Sequence, residues 1–175
     1  MIRKAQKEDL LQILEIVHDA KELLKKNGIR QWQTPGYPGP ELILEDIRKD
    51  YLYVADYDGV LAGMASLVRE PDENYLEIYE GQWLNDEPYF SIHRIAVRKE
   101  FYGRGIAKDL FKHLELCTKE AGLNNIRVDT SLENQTMHHL LLANKYQRCG
   151  KIYLKGVEDN PLRIAYQKII FLNNN

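Results

Sequence analysis

Long apolar runs are missing from this sequence, and so is any cluster of cysteines. No stretch is apolar enough over enough residues to span a bilayer, and no leader-like segment is visible, so no membrane role is expected. The two cysteines, Cys117 and Cys149, stand far apart without metal-ligand spacing. That argues against a disulfide framework and against a metal centre, and for buried or idle thiols in a reducing cytoplasm. An excess of either charge is lacking too. The formal net charge is −2, so no global field draws in nucleic acid. Nor is there an acidic run of the kind that would mark a polyamine or aminoglycoside site. What remains, 175 residues of which 44% are hydrophobic, fits one domain with an ordinary core, spanning 1–170 and followed by a polar tail at 171–175.

Periodicity divides the chain into alternating elements without a linker that would split it. A short strand at Ile2 to Lys4 precedes a helix from about Lys7 to Asn27, with Leu10, Ile13, Leu14, Val17, Ala20 and Leu24 on one face and Gly28 as its stop. Prolines and glycines make the segment 29–40 irregular, and a short helix follows at about Glu41 to Lys49. Two apolar runs joined by Asp58-Gly59 read as a hairpin. Strands are expected at Tyr75 to Trp83 and Tyr89 to Val97, then a helix from Arg104 to Ala121, a strand at Asn125 to Thr130 and a helix from Asn134 to about Lys145. Two closing strands lie near Gln147 to Leu154 and Arg163 to Ile170. The order is β-α-α-β-β-β-β-α-β-α-β-β.

The most telling stretch runs from Tyr89 to Ala107, a strand that passes through Gly103 and Gly105 directly into an amphipathic helix. Glycines let the backbone approach a ligand closely, and the N–H groups of a first helical turn have no intrahelical partner. The result is an anion cradle suited to phosphate or pyrophosphate, reinforced by the helix dipole, Arg104 and Lys108. A nucleotide-hydrolysing P-loop would close with Gly-Lys-Ser/Thr, and Gly105-Ile106-Ala107 stands there instead. A dinucleotide fingerprint would carry Gly or Ala where Lys108 stands, and a tighter turn than Val97 to Gly103 allows.

The loop Tyr102-Gly103-Arg104-Gly105-Ile106-Ala107, with Ile95-Ala96-Val97 as the strand end before it, resembles the acyl-CoA-binding motif of the GNAT N-acyltransferase superfamily, Arg/Gln-x-x-Gly-x-Gly/Ala. Tyr102 departs from the first slot, which in that family acts partly through its backbone N–H. The element order is similar to the GNAT topology across Met1 to about Ile170. The resemblance therefore implies an α/β (α+β) GNAT fold, a central mixed, mostly antiparallel sheet of about seven strands flanked by four helices. It also implies acetyl-CoA as co-substrate, no metal, and contacts to the cofactor from Ile95 to Val97 and from Tyr102 to Lys108. A second similar stretch is Asn134-x-x-Met137-x-x-Leu140-Leu141, where members often have Asn-x-x-Ala-x-x-Leu-Tyr. By resemblance Asn134 contacts the CoA arm. Leu141 cannot serve as the tyrosine that protonates the leaving thiolate, so either no protein acid is needed or His138, on the same helix face, supplies the proton. The alternative for His138 is a solvated surface histidine.

Acyl transfer to an amine requires a base, polarisation of the thioester carbonyl, and alignment of the two reactants. Backbone N–H groups of the Ser91–Val97 strand can polarise the carbonyl, and the resemblance has them bonding the pantetheine arm as well. Strict alternation places Ser91, His93, Ile95 and Val97 on one face. Some GNAT amine acetyltransferases carry a histidine or glutamate near this register, which makes His93 the candidate base. A core histidine is the alternative, and Glu77 and Glu80, on opposite faces of the preceding strand, are substitutes. Trp32, Tyr37, Tyr79, Trp83 and Tyr89 form a candidate wall for an apolar or cationic amine, or else they are ordinary packing aromatics. The expectation is a cytoplasmic, bacterial-type N-acetyltransferase acting on a primary amine of a small molecule or peptide; the resemblance also allows a homodimer, since homodimers are common in that family. Its competitors are an acyl-CoA sensor without turnover and an interaction domain that binds no CoA.

Overall fold

The computed structural model describes residues 1–157 and 159–170, so the expected tail at 171–175 lies outside the described residues. The elements run β1 (Ile2–Lys4), α1 (Leu10–Lys26), α2 (Pro40–Arg48), β2 (Leu52–Tyr57), β3 (Val60–Val68), β4 (Phe90–Val97), α3 (Ile106–Glu120), β5 (Asn125–Ser131), α4 (Gln135–Ala143), β6 (Gln147–Tyr153) and β7 (Leu162–Ile169). Among the described residues seven strands form one sheet in the order β1-β2-β3-β4-β5-β7-β6. It is mixed and mostly antiparallel, with a parallel register that pairs Phe90 with Ile126 and Ser91 with Arg127. The described residues gather into two compact units, one of Met1–Leu67 and His93–His113, the other of Val68–Ile92 and the described residues between Leu114 and Ile170.

In the first unit α1 buries Ile13 and Val17 of the helix-spaced stripe read from the sequence, with Leu10, Leu14 and Ala20 partly buried beside them, and buries Ile16, which that stripe did not include; Gly28 ends the helix at φ 69°. Asp58 and Gly59, at φ 52° and 87°, make the tight turn of the β2–β3 hairpin. Pro40 opens α2 at a position where no backbone donor is needed. Ile13, Ile16, Ile43, Leu52, Val54 and Met64 form a core with no exposed surface. The absence of a side chain at Gly63 in β3 matters for the site. A Cβ there would sit 2.8 Å from Ile106 Cγ2 and 3.0 Å from the Ala96 carbonyl oxygen, so β3 backs closely onto both β4 and the first residue of α3.

In the second unit β5, β7 and β6 pair antiparallel over most of their lengths. Tyr75, Ile152 and Ala165 form a core extended by Ile78, Trp83, Tyr89 and Leu154. The strand expected at Tyr75 to Trp83 does not form. A 3-10 turn at Glu73–Tyr75 opens this segment, and Tyr79 then makes an isolated antiparallel bridge with Lys151 of β6, two hydrogen bonds of 2.8 Å each. Glu80 turns the backbone into the left-handed region at φ 52° immediately afterwards, which stops the ladder. The segment docks onto the β6 edge, where the Gln82 N–H also donates to Cys149 O at 2.9 Å, and forms no full strand. With that strand gone, the proposed opposite facing of Glu77 and Glu80 falls as well: Glu77 accepts a 2.7 Å hydrogen bond from Tyr79, and Glu80 pairs with Lys151 at 2.6 Å.

Candidate functional site

The glycine loop hangs between β4 and α3 and is tied to α1. The Lys99 N–H donates to Asp19 Oδ2 at 2.9 Å, the Tyr102 hydroxyl reaches the Asp19 carbonyl at 3.5 Å, and Arg98 pairs with Glu15 at 2.7 Å. A 3-10 turn at Lys99–Phe101 makes the descent from the strand. Gly103 and Gly105 then take φ of 75° and 80°, and a Cβ built on either would meet nothing within 4 Å. Both positions thus require glycine for backbone reasons and face open space. Asp109 is the residue whose N–H first reaches back, to Gly105 O at 3.0 Å, so the N–H groups of Ile106, Ala107 and Lys108 have no intrahelical acceptor. Arg104 and Lys108 are exposed, with the Arg104 guanidinium 5.2 Å from the centre of the Phe101 ring. Burial and the nearby acids Asp19 and Glu100 push the Tyr102 hydroxyl pKa up, which keeps it a neutral phenol beside a loop suited to anions. Chemically the loop offers backbone donors, the positive end of a helix dipole and two exposed cations, an arrangement suited to an anion.

β4 departs from strict alternation. Ser91 and Ile92 are both buried, and Arg94 takes φ 53° in mid-strand. A left-handed residue shifts the period, so the single face drawn through Ser91, His93, Ile95 and Val97 does not run continuously through it. His93 is half-buried; of the strand end, Ala96 is buried and Ile95 and Val97 are half-buried. Arg94 itself, which sequence reasoning passed over, is bound by Asp46 of α2 through two hydrogen bonds of 2.6 and 2.9 Å.

In the second unit Asn134 caps α4, its side chain accepting from the Met137 N–H at 3.2 Å. His138 is buried, not surface-solvated. Nε2 lies 3.1 Å from Ser131 O and 3.2 Å from Leu132 O, and Nδ1 lies 2.7 Å from the Tyr166 hydroxyl. Because carbonyls only accept, Nε2 carries the hydrogen, and in the neutral ring Nδ1 accepts from Tyr166. Leu141 is fully buried, so an apolar residue there serves packing.

The five aromatic candidates separate by surroundings. Trp32, left-handed at φ 65°, packs on the core of the first unit, whereas Tyr37 is 41% exposed. Tyr79 is exposed and stacks edge-on with Tyr153 at 5.3 Å. Trp83 and Tyr89 are brought together, but around the protein's own cation. The Arg127 guanidinium lies 4.1 Å from the Trp83 ring centre and 4.0 Å from that of Tyr89, and it donates to Asn85 O at 3.0 Å. Burial lowers the pKa of this guanidinium from its ordinary value, with Tyr89 opposing the shift. The two rings were visible in the sequence. Their occupant, some forty residues further on in β5, carried no signal linking it to them.

Among the described residues no group of side chains is arranged to hold a metal ion, and no helix is long and apolar enough to cross a membrane. Comparison with curated proteins finds no match. A sequence model of the acetyltransferase (GNAT) family matches residues 17–150. Among solved structures, a GNAT-family acetyltransferase from Streptococcus agalactiae 2603 is 37% identical, with 98% of this chain and 96% of that chain covered and a TM-score of 0.88. A protein from Staphylococcus aureus Mu50 is 32% identical over 97% and 98% of the two chains, with a TM-score of 0.72. The fold also recurs in the PaiA N-acetyltransferase of Thermoplasma acidophilum, crystallised with coenzyme A, at 17% identity over 97% and 98% of the chains and a TM-score of 0.69. With a glycine loop between strand and helix, the seven-stranded mixed sheet and a family match over most of its length, this chain belongs to the GNAT acetyltransferase family.

Proposed function

We propose that this protein is a cytoplasmic N-acetyltransferase that moves the acetyl group of acetyl-CoA to a primary amine of a small molecule or peptide. Residues 1–170 act in this reading as one acyltransferase domain. The observation that carries it is the loop at Gly103 and Gly105, where left-handed glycines face open space and precede three helical N–H groups with no intrahelical acceptor. The pyrophosphate of the co-substrate is assigned to these donors, with Arg104 and Lys108 as exposed counter-charges; the Tyr102 N–H, which now donates to Lys99 O at 3.3 Å, joins them only by giving up that bond. Backbone groups of Ile95, Ala96 and Val97 are assigned to the acyl arm, and Asn134 is kept as a CoA contact. The amine nitrogen forms its bond to the thioester carbonyl carbon as the carbon–sulfur bond breaks, in a ternary complex. His93 takes the amine proton. The thiol is a good enough leaving group to depart without a dedicated protein acid. His138 is the alternative donor, and to act it would have to release the carbonyls of Ser131 and Leu132 that now hold its Nε2–H.

For the acceptor, Trp83 and Tyr89 are already engaged with Arg127 and Tyr79 with Tyr153 and Glu77, so Tyr37, 41% exposed, is the better candidate for a ring that meets a substrate. A protein that binds acyl-CoA without turnover would share the same loop. The first experiment is thermal unfolding with and without acetyl-CoA. At roughly one hundred times the dissociation constant, binding adds about 2.7 kcal/mol, or roughly 5–10 °C for a domain of this size. Absence of any shift would overturn the proposal. A shift with no thiol release across a panel of primary amines would favour the sensor.

A further inference from the structure

Arg94 sits in mid-strand in a left-handed conformation, φ 53°, that side-chain-bearing residues disfavour. Its guanidinium is grasped from the side: Nε donates to Asp46 Oδ2 at 2.6 Å and Nη2 to Oδ1 at 2.9 Å. Ser66 of β3 donates its hydroxyl to the same Oδ2 at 2.6 Å. The side chains of Arg94 and Asp46 are 11% and 5% exposed. Asp46 is held in turn by α2, whose Ile43 is fully buried, and its carbonyl accepts from the Tyr51 N–H at 2.8 Å. A buried ion pair is a poor device for stability alone, since apolar residues of similar volume commonly do as well. A bidentate pair does supply direction, because both partners are locked in orientation.

We propose that Asp46, with Ser66, is a positioning residue that clamps Arg94. The clamp holds residue 94 in the left-handed region and so sets the direction in which the backbone groups of Ile95, Ala96 and Val97 are presented to the acyl arm. This rests on the function proposed above, in which those groups meet acetyl-CoA. The position is left-handed by compulsion of its side chain, where glycine would be left-handed by its own preference.

Two substitutions at residue 94 separate the backbone from the guanidinium. Arg94→Ala and Arg94→Gly both remove the ion pair, but only glycine reaches positive φ at no steric cost. Acetyl-CoA affinity, measured by calorimetry on the full chain, is expected to fall about tenfold in Arg94→Ala, the ratio that the left-handed penalty of an L-residue converts to. Arg94→Gly is expected to stay within about threefold of the wild type on the same scale. Asp46→Ser should weaken binding in the Arg94 background and have little further effect beside Arg94→Gly. That double variant carries no unpaired buried charge, so it keeps the comparison available if Asp46→Ser alone does not fold. Wild-type affinity in Arg94→Ala would overturn the proposal, and so would equal losses in Arg94→Ala and Arg94→Gly, which would assign the effect to the guanidinium itself. If the wild type binds no acetyl-CoA, the functional reading fails and this inference with it. If the wild type binds and the variants match it, the inference fails alone.

Discussion

Gly105 combines a left-handed backbone at φ 80° with open space where a side chain would start. Two substitutions there part geometry from ligand chemistry. Gly105→Ala strains the backbone by about 1 kcal/mol and should lower Tm by roughly 2–4 °C while leaving a shift with acetyl-CoA. Gly105→Glu adds a chain and a negative charge in the cradle and should abolish the shift; a retained shift in a folded Gly105→Glu variant would remove the loop from the cofactor site. His93 is half-buried on the strand that leads to this loop. His93→Ala should lower turnover mainly below about pH 8, where an amine most needs a base, with acetyl-CoA affinity unchanged. An unaltered pH–rate profile would exclude it. The residues that sequence reasoning missed, Arg94 and Arg127, share a reason. Each gains its meaning from a partner roughly forty or more positions away, Asp46 in one case and Trp83 and Tyr89 in the other, and local patterning does not report long-range pairs.

Elements were legible wherever one local rule governed them. The helix-spaced stripe of α1, the Asp-Gly hairpin and the glycine that ends α1 are each set by a few neighbouring residues. The 75–83 segment makes a single bridge to β6 and no strand, because Glu80 leaves the extended region immediately after it. β4 failed in register for a similar reason at Arg94. α4 offers a test of what its cap is for. Asn134 accepts from the Met137 N–H, so Asn134→Ala should cost about 1 kcal/mol of stability and Asn134→Ser should restore it, since serine caps nearly as well. Acetyl-CoA affinity measured alongside decides the second role. If Asn134 also contacts the CoA arm, Asn134→Ser will recover stability without recovering affinity; recovery of both would leave the residue a cap.

Over the whole molecule, pH acts first on carboxylates whose folded environment favours their charge. The Arg3 guanidinium beside Asp9 holds that carboxyl below its usual range, aided by the Gln6 N–H, and Asp56 is lowered by the Gly59 N–H and then by Arg3. A carboxyl lowered in this way contributes stability that is fully present above its unfolded value, about 3.9, and is lost as pH falls through the lower folded value. Urea unfolding should therefore show the wild type ahead of Asp9→Asn by a constant margin from about pH 7 to pH 5, narrowing below about pH 4. A margin independent of pH would make the contact one of packing alone. Local preferences written in the sequence were sufficient for the element order apart from one strand, for the glycine loop and for the resemblance that the family match later bore out, because glycine, proline and apolar spacing act over a few residues. Tertiary structure alone decided that His138 is buried, that Trp83 and Tyr89 enclose Arg127, and that Asp46 grips Arg94. Those outcomes depend on which distant charges are removed from water together, and a buried charge or ring nitrogen takes whatever partner the folded chain brings within hydrogen-bonding distance.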